Sequence, residues 1–292
     1  MSREHFYGGI DTALRLFDQI AETGGFNKRI ILINAAPESR ETEERFPGYR
    51  LVSAAEDSAA ERQILPCVRG MVSVPVGERD YFLATAWWTA FCAQKISDWQ
   101  SGRYPDQQKA LLYLIQDFEP GFYPWSSEYL LAESTYKYPG RQIALFNTKL
   151  LRDFFHEKGY RFQHEFFFEP KLNAQILKYR DELCLANKKK QIVVYGRPSA
   201  PRNAFSLIHE SLKLWAGAQP DAGQWRLISV GEKHRELDLG NGARLLSRGK
   251  LSLAEYARLL AESSVGLSFM VSPHPSYPPL EMAEFGLHVI TN

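Results

Sequence analysis

An α/β chain of two Rossmann-like halves, each built on a parallel sheet, is predicted by three observations. Short β-rich runs alternate with longer helical patterns. A polar, lysine-rich stretch ending at Lys188-Lys189-Lys190 interrupts that alternation, as expected at a junction between domains. Segments rich in Gly, Arg and Pro stand directly after strand-like runs, the edge at which open α/β sheets bind ligands.

In the first half, Lys28 to Asn34, Arg50 to Ser53, Gly70 to Val74, Leu111 to Gln116 and Gln142 to Phe146 read as strands, being short, apolar and closed by polar or turn residues. Helical patterns lie at Asp11 to Thr23, Tyr81 to Trp99, Trp125 to Lys137 and Lys149 to Lys158. Phe166-Phe167-Phe168 reads as a buried strand, with membrane contact as the lesser alternative. The second half has strands at Ile192 to Tyr195, Trp225 to Val230, Arg244 to Ser247, Val265 to Phe269 and His288 to Thr291, separated by helices at Ala204 to Ala216, Leu253 to Glu262 and Pro279 to Phe285. The expected domains are 1–168 and 169–292, their sheets facing a cleft.

Among 292 residues, 35 Lys and Arg balance 34 Asp and Glu, so no broad field exists to recruit nucleic acid or an acidic bilayer, and an anion must be held locally. Cys67, Cys92 and Cys184 are too widely spaced for a zinc site or disulfide framework, and no metal is expected. The opening residues lack a signal-peptide pattern and no apolar run is long enough to span a bilayer, so a soluble cytoplasmic protein is expected.

Gly196 closes a strand and is followed by Arg197 and, five residues on, Arg202, just before a helix. Forked guanidinium donors and the free N–H groups of a helix start suit a phosphate; the plainer alternative is a solvated loop whose arginines pair with surface acids. Downstream, Ser272 to Gly286 again joins strand to helix, with Pro278 and Pro279 suited to a first turn and Glu281 one turn inside, able to accept from a ribose diol or merely to stabilise the helix dipole. Lys250 and Tyr277 are either ligand contacts or ordinary loop residues. Asp117 and Glu119 follow a strand, where they either orient an acceptor hydroxyl or hydrogen-bond to backbone. Gly8 and Gly9 open a helix and permit close backbone approach, while His274 is the histidine best placed near a sugar.

Together these segments resemble the donor domain of glycosyltransferase family 4 and its relatives, GT-B enzymes that take a sugar from a nucleoside diphosphate. Arg197 and Arg202 match the family's Gly-Arg and following lysine that grip the pyrophosphate, and Pro278-Pro279-Leu280-Glu281 matches the element whose glutamate holds the ribose. The sequence departs from the family where a second glutamate is usual, carrying Pro273 and His274 instead. The longer phrase from Ser272 to Ala283, Tyr195-Gly196-Arg197-Pro198 and Gln116-Asp117-Phe118-Glu119-Pro120-Gly121 resemble bacterial rhamnosyltransferases that use dTDP-rhamnose.

That resemblance implies donor contacts at Arg197, Lys250, Tyr277 and Glu281, no metal, and retention at the anomeric carbon. It implies transfer to a surface glycan, lipid-linked in one version, with peripheral contact at the inner membrane face. A non-catalytic nucleotide or glycan binder is the alternative. The resemblance also implies a first strand before Gly8-Gly9 and further elements after Thr291, so the chain is expected to be a fragment lacking both ends of a GT-B unit.

Overall fold

The computed structural model describes residues 9–33, 46–52, 62–67, 74–169, 171–183, 187–274 and 276–292. The chain divides into two compact units, Met1–Phe168 and Glu169–Asn292.

Unit 1 begins its described part with helix α1 (Gly9–Gly24), followed by β1 (Lys28–Ile33), β2 (Arg50–Leu51) and β3 (Arg62–Cys67). These strands form a parallel sheet ordered β1-β3-β2. A second parallel sheet, in sequence order, holds β4 (Leu83–Ala84), β5 (Leu111–Ile115), β6 (Gln142–Phe146) and β7 (His164–Phe167). Helices α2 (Trp87–Arg103), α3 (Ser127–Tyr136) and α4 (Lys149–Glu157) supply the crossovers that parallel pairing requires. Fully buried Tyr113, Phe146, Leu151 and Phe155 centre an aromatic core beneath the second sheet.

One strand in this half was not expected, and two expectations need correction. The segment 62–67 is a strand although Pro66 argues against one; β2 pairs only with Gln63 and Ile64, so at Pro66 that flank has no ladder for the missing N–H to interrupt. The helix expected from Tyr81 starts at Trp87, after a two-residue strand, because the Glu119 carboxylate caps it there: the Trp87 N–H donates to Oε2 at 2.5 Å. The Phe166 region is a strand but not a buried one, since β7 lies at the sheet edge and Phe166 is 58% exposed. Of the strand expected over Gly70 to Val74, residues 70–73 lie outside the described residues, as do Gly8 and Cys184.

Unit 2 opens with α5 (Ala174–Glu182), where a charged linker was expected. Its fully buried Ile176 packs with Leu259, Leu260 and Phe285, and Arg180 pairs with Glu284 at 2.5 Å. The lysine triplet is equally engaged. Lys188 donates to the carbonyls of Leu260 (3.1 Å) and Phe285 (2.5 Å), Lys189 pairs with Glu262, and Lys190 with Asp221.

One six-stranded sheet follows, made of β8 (Lys189–Gly196), β9 (Arg226–Gly231), β10 (Leu237–Gly240), β11 (Ala243–Gly249), β12 (Ser263–Leu267) and β13 (His288–Ile290). The order is β10-β11-β9-β8-β12-β13, parallel throughout except for β10, an edge strand that its short polar sequence had hidden. Helices α6 (Phe205–Ala218), α7 (Leu253–Glu262) and α8 (Tyr277–Glu284) connect the strands. The chain winds outward from β8 through β9 to β11, then crosses back to β12 and β13. The winding therefore reverses between β8 and β12, the topological switch point of a Rossmann-like sheet. Among the described residues no helix is long and apolar enough to cross a membrane.

Candidate functional site

At a switch point two neighbouring strands send their exit loops apart, leaving a crevice at the carboxyl edge. In unit 2 the loop after β8 carries Arg197 and Arg202, and the loop after β12 carries His274 and leads into Tyr277, Pro278 and Glu281. The two loops are joined where the Val271 N–H donates to the Arg202 carbonyl at 2.6 Å. Lys250 lies farther out, after β11, two strand spacings from β8 or about 10 Å across the sheet.

The carboxyl edge where β8 and β9 end is made of glycine for steric reasons. Gly196 pairs with Gly231 across the ladder, and a Cβ on Gly196 would stand 2.2 Å from the Ser229 hydroxyl and 2.8 Å from the Phe205 ring. Gly231 has φ 120, which side-chain-bearing residues rarely adopt. Beyond Gly196, both the N–H and the hydroxyl of Ser199 donate to one oxygen of Glu232, at 3.1 and 2.7 Å. These hydrogen bonds, with smaller help from the charges of Arg197 and His234, hold the Glu232 carboxyl below its ordinary range. The loop then turns at 201–203 and enters α6 through Ala204 in the left-handed region at φ 48, so the helix start has no side-chain cap.

Across the crevice Ser276 precedes α8 without capping it, and Pro278 occupies its first turn. Glu281 is one turn on and largely buried. Burial raises its carboxyl above the ordinary range, and the Tyr256 hydroxyl of α7 pulls it partly back. That hydroxyl lies near Glu281 but meets no partner at full hydrogen-bonding geometry, so burial is the stronger influence.

In unit 1 the corresponding edge gathers the residues after β5. A Cβ on Gly9 would lie 2.7 Å from the Gln116 side-chain oxygen, so the start of α1 and the exit of β5 touch. Asp117 is buried and its Oδ1 accepts the Phe118 N–H at 2.8 Å. Glu119 is also buried, with one oxygen on the α2 start and its own N–H donated to the Tyr136 hydroxyl at 3.3 Å. Its carboxylate therefore has a structural task. The two tyrosine hydroxyls nearby, Tyr113 and Tyr136, are pushed well above their ordinary range by burial and by this charge.

Sequence reasoning missed Ser199, Glu232 and Tyr256 in unit 2 and Gln116 in unit 1. Glu232 had one available signal, its position just after a strand.

A family model described as the N-terminal domain of WsaF matches residues 1–149, and one described as its C-terminal domain matches residues 190–292. The chain belongs to the WsaF family. This WsaF-family chain is 27% identical over 294 aligned positions to the O-antigen biosynthesis protein RfbC of Myxococcus xanthus, which covers 99% of it. It spans 21% of that curated relative's length. Sucrose-phosphate synthase from Thermosynechococcus elongatus superposes with a TM-score of 0.52 at 11% identity, over 97% of this chain and 75% of the other. That likeness concerns fold: the WsaF-family chain has the two-domain Rossmann-like architecture of GT-B glycosyltransferases, as its motifs predicted.

Proposed function

We propose that this chain is a glycosyltransferase of bacterial surface-polysaccharide synthesis that moves a hexose, rhamnose carried by dTDP, onto a growing glycan. One observation carries the reading: the arginine-bearing and glutamate-bearing loops occupy the two sides of one switch point and are hydrogen-bonded to each other. The family membership and the O-antigen biosynthesis relative support the same process.

In this scheme Arg197 and Arg202, with the uncapped start of α6, receive the diphosphate. Glu281 accepts from the ribose hydroxyls, Tyr277 and Lys250 serve the nucleoside, and His274 lies toward the sugar. As the bond between the anomeric carbon and the diphosphate oxygen breaks, charge grows on the leaving group, and the guanidinium groups offset it without a metal. The acceptor oxygen takes the anomeric carbon, with configuration retained, and its proton goes to a unit 1 carboxylate. Asp117 is the better candidate, because Glu119 already caps α2. Gly9, beside Gln116, stands at the same edge. A lipid-linked acceptor would bring the protein to the inner membrane face.

The test is release of dTDP from dTDP-rhamnose, with and without a glycan acceptor, in the wild type and in Arg197→Ala. Acceptor-dependent release that falls by two orders of magnitude in the variant supports the scheme; equal rates remove Arg197 from it. Binding of dTDP with no turnover on any acceptor would favour a non-catalytic binder, a reading to which Pro273 and Glu119's capping task lend weight.

A further inference from the structure

Trp125 is the most exposed large apolar side chain among the described residues, at 79%. Its loop leaves the carboxyl end of β5, directly after Asp117, and is fixed on both sides of the indole. Glu119 is tied to the start of α2, the Trp87 indole N–H donates to the Tyr123 hydroxyl at 3.0 Å, and the Ser126 hydroxyl caps α3. Pro124 restricts the backbone just before the indole. The ring leans on Tyr129, with centroids 5.1 Å apart and planes at 42°. A broad aromatic surface is thus held toward solvent by a loop with little freedom to fold it away.

Such a surface suits a sugar. The C–H groups on one face of a pyranose carry partial positive charge and match the negative face of an aromatic ring, while the sugar's rim keeps its hydrogen bonds to water and nearby polar groups. We propose that Trp125, braced by Tyr129, is the stacking platform for one pyranose ring of the glycan acceptor. The proposal rests on the glycosyltransferase reading and assigns that reader of the acceptor to unit 1. A bilayer is the less suitable occupant, because Glu128 stands in the first turn of α3, next to Tyr129 in sequence, and would be repelled by anionic lipid.

Saturation-transfer NMR with methyl glycosides of glucose, galactose, mannose, N-acetylglucosamine and rhamnose tests it on the full chain. Wild-type protein should transfer magnetisation to the C–H groups of one ring face of at least one glycoside. Trp125→Ala should weaken that binding by about tenfold, the scale of one ring stacked on an aromatic face, and Trp125→Phe should retain most of it. Calorimetry with thymidine diphosphate on the same variants separates the two ideas. Unchanged or absent transfer to every glycoside, compared with Trp125→Ala, overturns the platform whatever the nucleotide result. Loss of nucleotide binding in the wild type overturns the donor reading alone. Trp125-dependent binding to phosphatidylglycerol vesicles without Trp125-dependent glycoside transfer also overturns the proposal, in favour of a membrane contact.

Discussion

In the proposed scheme Glu281 faces two opposing demands: it must be ionised to accept from a ribose diol, yet its burial favours the protonated form. Its folded value lies above its unfolded one, so the stability it contributes is full below the unfolded value and is lost as pH rises through the raised folded value. Glu281→Gln should therefore raise the melting temperature near neutrality and leave it unchanged at the acid end, as a pH series of thermal melts would record. Nucleotide affinity should move the other way, weakening on acidification at a higher pH than an ordinary glutamate would dictate, and Glu281→Gln should bind weakly with that step gone. Arg197→Ala removes charged hydrogen bonds worth about 1.5–3 kcal/mol, so calorimetry should find thymidine diphosphate bound roughly 10- to 100-fold more weakly. The placement of Arg197 after β8 and of Glu281 in α8 was legible because each sits in an ordered local phrase. Glu232 was not, since Ser199, the residue it anchors, is 33 positions away and only the folded sheet brings them together.

Helix α7 was readable to the residue because its start signal is local: Ser252 and Glu255 form a reciprocal capping box. Ser252→Ala should cost about 1 kcal/mol, measurable as a lower urea midpoint with an unchanged slope. Helix α2 shows the opposite case. Besides the local Thr89 hydroxyl, which accepts the Thr85 and Ala86 N–H groups, its first N–H is held by Glu119, 32 residues downstream, and the apolar pattern alone set its start too early. Glu119→Ala should cost about 1–2 kcal/mol by the same measurement, whatever it does to turnover. Strand β3 had no expectation in the sequence, and its Pro66 is tolerated because β2 pairs only at Gln63 and Ile64, a property of the neighbours that no local reading holds. The alternation of strand and helix in unit 2 was legible because parallel strands buried on both faces are uniformly apolar; β10, at the edge, follows no such constraint.

Among the described residues the buried clusters separate by unit: one aromatic core in unit 1, two largely aliphatic clusters in unit 2. Removing Phe155 from the first should cost unit 1 about 3–5 kcal/mol and leave thymidine diphosphate uptake by unit 2 intact, a result that calorimetry beside a thermal melt would establish. The alternation of elements made two Rossmann-like halves legible at this scale, while the switch point between β8 and β12 emerged only from the strand order.

The placement of α5 bears on how such proteins can be cut and recombined. The matched C-terminal family segment starts at Lys190, yet Ile176, Arg180 and Lys188 upstream fill a socket on Leu259, Leu260 and Phe285 and close the ends of α7 and α8. A chimera grafted at 190 would inherit the loops after β8 and β12 with their greasy underside bare. Splicing at Glu169 carries the plug along with the socket it was shaped to fill.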